Sequence, residues 1–235
     1  MQFQTPLIRA TLVRRYKRFL ADIILPDGRE VTAHCANPGA MTGLAEPGTK
    51  IWVEPNDDPK RKLGFSWKLV ELTNGWACID TALPNQIIGA ALTSRQIPGL
   101  TGFQSLRREV RYGENSRVDF LLTGNGPDIY VEVKAVSLKR DQWAEFPDTV
   151  TKRGTKHLVE LAEMCRQGHR AVMVYLVQRT DCAGFRLAGD IDPAYAAGFV
   201  AATKAGVTAL CLTTKISPTG IHINGAMDID APRQK

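Results

Sequence analysis

Short apolar runs broken by turn residues fill the first third of the chain, and helix-length apolar stripes appear only after it. Residues 7–13, 19–25, 29–34, 50–54, 65–72 and 76–80 read as strands. Between them, Pro26-Asp27-Gly28 and Asn74-Gly75 supply hairpin turns, because Asn and Gly tolerate the positive backbone angles such turns need. Asn37-Pro38-Gly39 and Glu46-Pro47-Gly48 fit the Pro-then-Gly centre of a type II turn. Five or six short strands in so little chain predict a small barrel, with the OB-fold as the obvious candidate.

After residue 80 the pattern becomes mixed. Residues 83–92, 151–167 and 193–204 predict helices, the second carrying Leu158, Leu161, Ala162 and Cys165 at helical spacing and the third opening on Pro193 after an Asp192 cap. Residues 106–112, 117–122, 129–136, 171–177, 207–212 and 221–223 predict strands, and 171–177 is apolar enough to be buried on both faces. The β-formers in 207–212 exclude a helix-turn-helix there. The expected fold is two-domain: an N-terminal all-β OB-like barrel over 1–80, and an α/β domain over 81–235 with a mixed sheet flanked by helices.

One hairpin carries candidate chemistry. Strands 117–122 and 129–136 flank Gly124-Asn125-Gly126-Pro127-Asp128, and a reversal about Asn125 and Gly126 sets Asp119 opposite Glu132. Side chains alternate along a strand, so Glu132 and Lys134 share a face with Asp119, while Val118, Phe120, Val131 and Val133 point into a core. Two carboxylates about 5 Å apart suit a hard cation such as magnesium. An ammonium beside it can orient a water or stabilise charge growing on a phosphate. The chemistry implied is phosphodiester hydrolysis; the plain alternative is a hairpin surface whose charges only pair with neighbours.

Charge narrows the partner. The 235 residues carry a net charge of +6, a modest excess that favours polyanions. Arg9, Arg14, Arg15, Lys17 and Arg18 precede the first acid, Asp22, with Tyr16 and Phe19 interleaved, a mixture that attracts phosphates and offers rings to bases, or equally a solvated strand and turn whose rings join the core. Lys60-Arg61-Lys62 before Phe65, Trp67 and Lys68 repeats it. Lys152, Arg153 and Lys156 lie in the first turns of a predicted helix, where the dipole disfavours cations and a bound anion would reverse the balance; Asp148 and Glu160 could neutralise them instead. No run of about 18 apolar residues spans a membrane, and the first residues lack a secretory layout, so a cytoplasmic location is expected. The five cysteines and four histidines are scattered, which argues against a zinc site.

His34-Cys35-Ala36-Asn37-Pro38-Gly39-Ala40-Met41, Arg117-Val118-Asp119-Phe120-Leu121, Tyr130-Val131-Glu132-Val133-Lys134, and Phe146-Pro147-Asp148 leading to Thr151-Lys152-Arg153-Gly154-Thr155-Lys156-His157-Leu158 resemble the sugar fermentation stimulation protein (SfsA) family over nearly the whole chain. The resemblance implies an OB-like barrel joined to a PD-(D/E)xK nuclease-like domain, sequence-nonspecific DNA binding and a role in regulating maltose or other sugar metabolism. Carried over, it makes Asp119 and Glu132 metal ligands, for Mg or Mn, and Lys134 the catalytic amine. Many such nucleases add an acid from the preceding helix, but residues 81–106 hold no Asp or Glu, leaving Glu109 or Glu114 as substitutes. Two functions follow: a DNA-binding protein gripping phosphates through Arg14, Arg15, Lys17, Arg18, Lys152, Arg153 and Lys156, or a Mg- or Mn-dependent nuclease. A transcription factor reading a defined operator would need a base-reading element that the sequence does not display.

Overall fold

The computed structural model describes residues 1–230. Strands β1 (Ile8–Tyr16), β2 (Leu20–Ile24), β3 (Glu30–Cys35), β4 (Lys50–Pro55) and β5 (Phe65–Leu72) form one sheet in the order β3-β2-β1-β4-β5, and a parallel pairing of β3 with β5 closes it into a barrel. This is the predicted OB barrel. Leu12, Ile23, Ile51, Val53 and Trp67 fill its interior. Trp67 is wholly buried and donates its indole N–H to the Leu69 carbonyl at 3.0 Å, while Lys68, pointing the other way, is held by Asp80 at 2.6 Å and Glu54 at 3.3 Å. The expected cation-and-aromatic surface at 60–68 is therefore corrected: its tryptophan is core and Lys68 is tied up in ion pairs.

Two turns behaved differently. Gly48 has φ +86°, as a type II turn requires, but Gly39 does not enter the left-handed region. The Asn37 side chain takes the Gly39 N–H instead, at 2.8 Å, and makes the turn without that backbone angle.

β6 (Gly75–Cys78) continues from β5 and leads into α1 (Leu83–Thr93). The second sheet contains β7 (Ser105–Tyr112), β8 (Ser116–Thr123), β9 (Ile129–Val136), β12 (Arg170–Val177), β14 (Thr208–Ser217) and β15 (Gly220–Met227), in the order β15-β14-β12-β9-β8-β7. β9, β12 and β14 run parallel and the outer pairings are antiparallel. α1 packs on one face, sharing a core with Leu7, Leu69 and Cys78 of the barrel side. α2 (Lys152–Arg166) and α3 (Pro193–Lys204) cover the other. Sandwiched between two cores, β12 is buried from Ala171 to Val177, and each Val, Leu or Met side chain there stabilises the fold by about 1.5–3 kcal/mol. Asp192 explains how the helices lock: it caps α3 by accepting from Tyr195 N–H at 2.9 Å and holds the Thr151 N–H at 2.7 Å ahead of α2.

A third, four-stranded sheet was not expected. β10 (Leu138–Arg140), β11 (Trp143–Phe146), β13 (Gly184–Leu187) and β16 (Ile229–Asp230) pair in the order β10-β11-β13-β16. Residues 231–235 of the predicted second domain lie outside the described residues. Among the described residues no helix is long and apolar enough to cross a membrane.

Candidate metal and nucleic-acid site

The β8–β9 hairpin has the predicted register: Phe120 faces Val131, Leu121 faces Tyr130 and Leu122 faces Ile129. The next pair outward is Asp119 and Glu132, where the ladder ends. There the Asp119 side chain replaces the backbone partner, its Oδ2 accepting from the Val133 N–H at 2.7 Å. On the other side of β8, pairing with β7 skips Asp119 and Glu109, and Glu109 takes φ +53°. Strict alternation breaks at this point. Phe120, Val131 and Val133 do pack on the α1 side, but Val118 lies in the core beneath α2, a correction caused by the turnover of the strands at Asp119.

Three ionisable groups meet beside that break. Lys134 Nζ donates to Glu132 Oε1 at 2.7 Å, and Asp119 Oδ1 accepts from Asn85 Nδ2 on α1 at 2.7 Å. His157, on α2, donates from Nδ1 to the same Glu132 oxygen, and its Nε2 accepts from Arg153 Nε at 3.3 Å, partners that fix the tautomer. Burial opposes ionisation of Glu132, yet His157 and Lys134 outweigh it and hold its carboxyl below the ordinary value. Asp119 goes the opposite way. Burial, then the charge of Glu132, push it up to about 6 against the hydrogen bonds from Val133 and Asn85.

The cluster is incomplete. Glu132 Oε2 is buried with no partner, as are Glu160 Oε2 and the Tyr112 hydroxyl nearby. Burial and the charges of Glu132, Glu160 and Asp119 hold that hydroxyl far above its ordinary pKa. Such orphans are rare in native structures and mark a group that expects another partner. A divalent cation fits the donor set: two carboxylates, one with a bare oxygen, and a raised carboxyl that a positive charge would relax. Among the described residues no three His, Cys, Asp or Glu form a metal cage on their own, so water or backbone oxygen would complete the shell.

Sequence reasoning missed Asn85 and His157. Asn85 occupies the helix position from which an acid was sought, and Glu109 and Glu114 are both exposed. His157 falls on the apolar stripe of α2 with Leu158 and Leu161, and a polar residue on a core-facing stripe is the signal that could have found it.

The predicted cations divide by use. Lys17 and Arg18 form the exposed tip between β1 and β2, both with positive φ, beside the exposed ring of Phe19, which stacks on His34. Arg14 is exposed and pairs with Asp22 at 2.8 Å. Arg15 is committed elsewhere, its guanidinium donating to the Asn37 and Gly39 carbonyls at 2.7 and 3.0 Å. At the start of α2, Lys152 and Arg153 are exposed, while Lys156 lies 3.7 Å from Glu160, the local neutralisation weighed from sequence. Arg107, Arg108, Arg111 and Arg117 add an exposed basic stripe along the sheet edge that the sequence reading overlooked. Arg108 reaches the Asn85 carbonyl at 3.3 Å, next to Asp119.

Comparison with known proteins agrees with this architecture. The family model described as "SfsA N-terminal OB domain" matches residues 13–79, and "Sugar fermentation stimulation protein RE domain" matches residues 82–220. A sugar fermentation stimulation protein homolog of Roseobacter denitrificans is 60% identical over 233 residues, covering 97% of this chain and 99% of that protein. The homolog of Ruegeria pomeroyi is 62% identical over 226 residues, covering 95% and 98%. Among solved structures, Pyrococcus furiosus SfsA in complex with Ca2+ superposes with a TM-score of 0.88 at 27% identity, covering 98% of each chain. The chain belongs to the sugar fermentation stimulation protein family.

Proposed function

We propose that this protein grips DNA through its phosphates without reading sequence, and that Asp119, Glu132 and Lys134 form the centre of a metal-dependent nuclease of the PD-(D/E)xK type. The observation that carries this reading is the bare, buried Glu132 Oε2 beside the Asp119 carboxyl, a pair whose oxygens suit a divalent cation. The Ca2+ complex of the P. furiosus relative supports a divalent ion, for which Mg or Mn is the working choice here. Asp119 and Glu132 would hold it, and when bound it acts as a Lewis acid toward a phosphate oxygen. His157 keeps Glu132 ionised and oriented. Lys134, fixed by Glu132, presents an ammonium to charge that grows on the phosphate. Phosphate contacts come from Lys17, Arg18 and Arg14, from Lys152, Arg153 and Lys156, and from the β7 arginines, with Arg15 acting through the loop it holds.

A second reading, binding without cutting, is favoured by Asn85 in the place of an acid. Incubation of DNA and RNA with Mg2+ or Mn2+ separates the two. Cleavage that disappears in Glu132→Ala and Lys134→Ala supports the nuclease; cleavage that persists points to a contaminant; salt-sensitive binding with no cleavage leaves the binding protein. The family name supports a link to sugar metabolism, for which regulation of maltose or other sugar use is the proposed role. Five free cysteines support a reducing, cytoplasmic setting.

A further inference from the structure

The barrel loop carrying Asn37 meets the ends of β9 and β12 around a cavity of about 340 Å3. Ser137 and Gln178, the first residues beyond those parallel strands, line it together with Asn37, Phe146, Asp148 and Thr149. Crevices at the carboxyl ends of parallel strands are where open α/β sheets receive ligands. This one is built for a polar guest. Gln178 is 2% exposed and its Oε1 has no hydrogen-bond partner, so a buried amide group waits for a donor. Asn37, 6% exposed, spends its Oδ1 on the Gly39 N–H and keeps its NH2 uncommitted among the described residues.

The lining decides the class of guest. Asp148 enters no ion pair among the described residues, and an unneutralised carboxylate repels a phosphate but accepts from an N–H. Phe146 gives a half-buried aromatic wall to a flat group. The approach is close: a methyl on Gly39 would stand 2.5 Å from Asp148 Oδ2 and 3.0 Å from Asn37 Oδ1, so only bare backbone lets the loop close on the wall. Ala135, the neighbour of Lys134 on β9, also borders the cavity. We propose that this cavity receives a nucleobase bearing an exocyclic amino group, cytosine or adenine, from the strand whose phosphate lies at Lys134. Gln178 and Asp148 accept from the amino group, and the Asn37 amide donates to the ring nitrogen or carbonyl, the pairing that amide side chains make with base edges. The pocket rests on the nucleic-acid reading above, adding a preference at one nucleotide to phosphate binding that is otherwise independent of sequence, and its test can fail separately.

Fluorescence anisotropy with labelled twelve-nucleotide oligo(dC) and oligo(dU), in EDTA at one fixed salt concentration, compares strands of equal charge that differ only at this edge, an amino group and a bare ring nitrogen in cytosine against a carbonyl and a ring N–H in uracil. Oligo(dC) is expected to bind about tenfold tighter. Gln178→Leu should bring oligo(dC) down to the oligo(dU) level while leaving oligo(dU) unchanged, and Asp148→Asn, on a partly exposed side chain, should narrow the gap. Equal affinities in the wild-type protein overturn the base pocket while leaving phosphate binding intact, as does a full gap surviving in both variants. Binding of neither strand overturns the nucleic-acid reading itself.

Discussion

Each half of the molecule holds a lysine among carboxylates, and the two clusters finish differently. In the barrel, Lys68 sits between Asp80 and Glu54; burial opposes its charge, but the two acids win and hold its ammonium above the ordinary value. Every oxygen there is engaged: Asp80 Oδ1 takes the Ala82 N–H at 2.9 Å, and Glu54 Oε1 takes the Gln4 N–H at 2.8 Å. Around Lys134 the ingredients are the same, yet Glu132 Oε2 is bare and Asp119 is pushed up to about 6. The closed cluster ties the barrel wall to the start of α1. The open one stores an unmet demand for positive charge, and that demand, rather than the presence of acids and a lysine, distinguishes a candidate site from structural cement.

The contrast breaks most visibly in activity. Glu132→Ala or Lys134→Ala should lower cleavage by about 10³-fold, the scale for loss of a preorganised electrostatic group. Lys68→Ala should leave cleavage per folded molecule unchanged, as measured by plasmid nicking normalised to folded protein. Stability should show the reverse asymmetry. Lys68→Ala strands two carboxylates that are largely shielded from water, and urea unfolding should report a loss of about 3–4 kcal/mol.

Asp119→Asn sharpens the same contrast through pH. Because the folded-state pKa is raised from 3.8 to about 6, the unfolded chain gives up this proton first. The stability the acid contributes is complete below about pH 4 and is lost as pH rises through about 6, a span corresponding to about 3 kcal/mol. In metal-free buffer, the stability of Asp119→Asn minus that of wild type should therefore rise by about 2–3 kcal/mol between about pH 4 and pH 8. A flat difference in urea unfolding would refute the strained carboxyl. The smallest effect lies on the exposed cations. Replacing Lys17 and Arg18 by Asn, which tolerates their left-handed backbone, should reduce the slope of log affinity against log salt by about 1–2, measured by anisotropy titrations.

The sequence made the barrel legible because its strands are short, bounded by Gly, Pro and Asn, and rich in β-formers. The β8–β9 register was legible for the same reason: Asn125 and Gly126 fixed the reversal, and the observed pairs follow from it. The four-stranded sheet was not, since β10, β11, β13 and β16 are two to four residues long and come from distant segments, too short for a period to show. At the site, Asp119, Glu132 and Lys134 announced themselves by charge on apolar strands. Asn85 did not, because a neutral amide on a helix carries no electrostatic signature in a sequence. Arg15 misled in the other direction: it reads as one more surface cation, and only the fold shows its guanidinium holding the carbonyls of Asn37 and Gly39.

Isothermal titration calorimetry with Mn2+ on wild type, Glu132→Ala and Lys68→Ala tests the open cluster most directly. One site per chain is expected in the wild type and in folded Lys68→Ala, and none in Glu132→Ala. No binding to the wild type, or binding undiminished in Glu132→Ala, would contradict it.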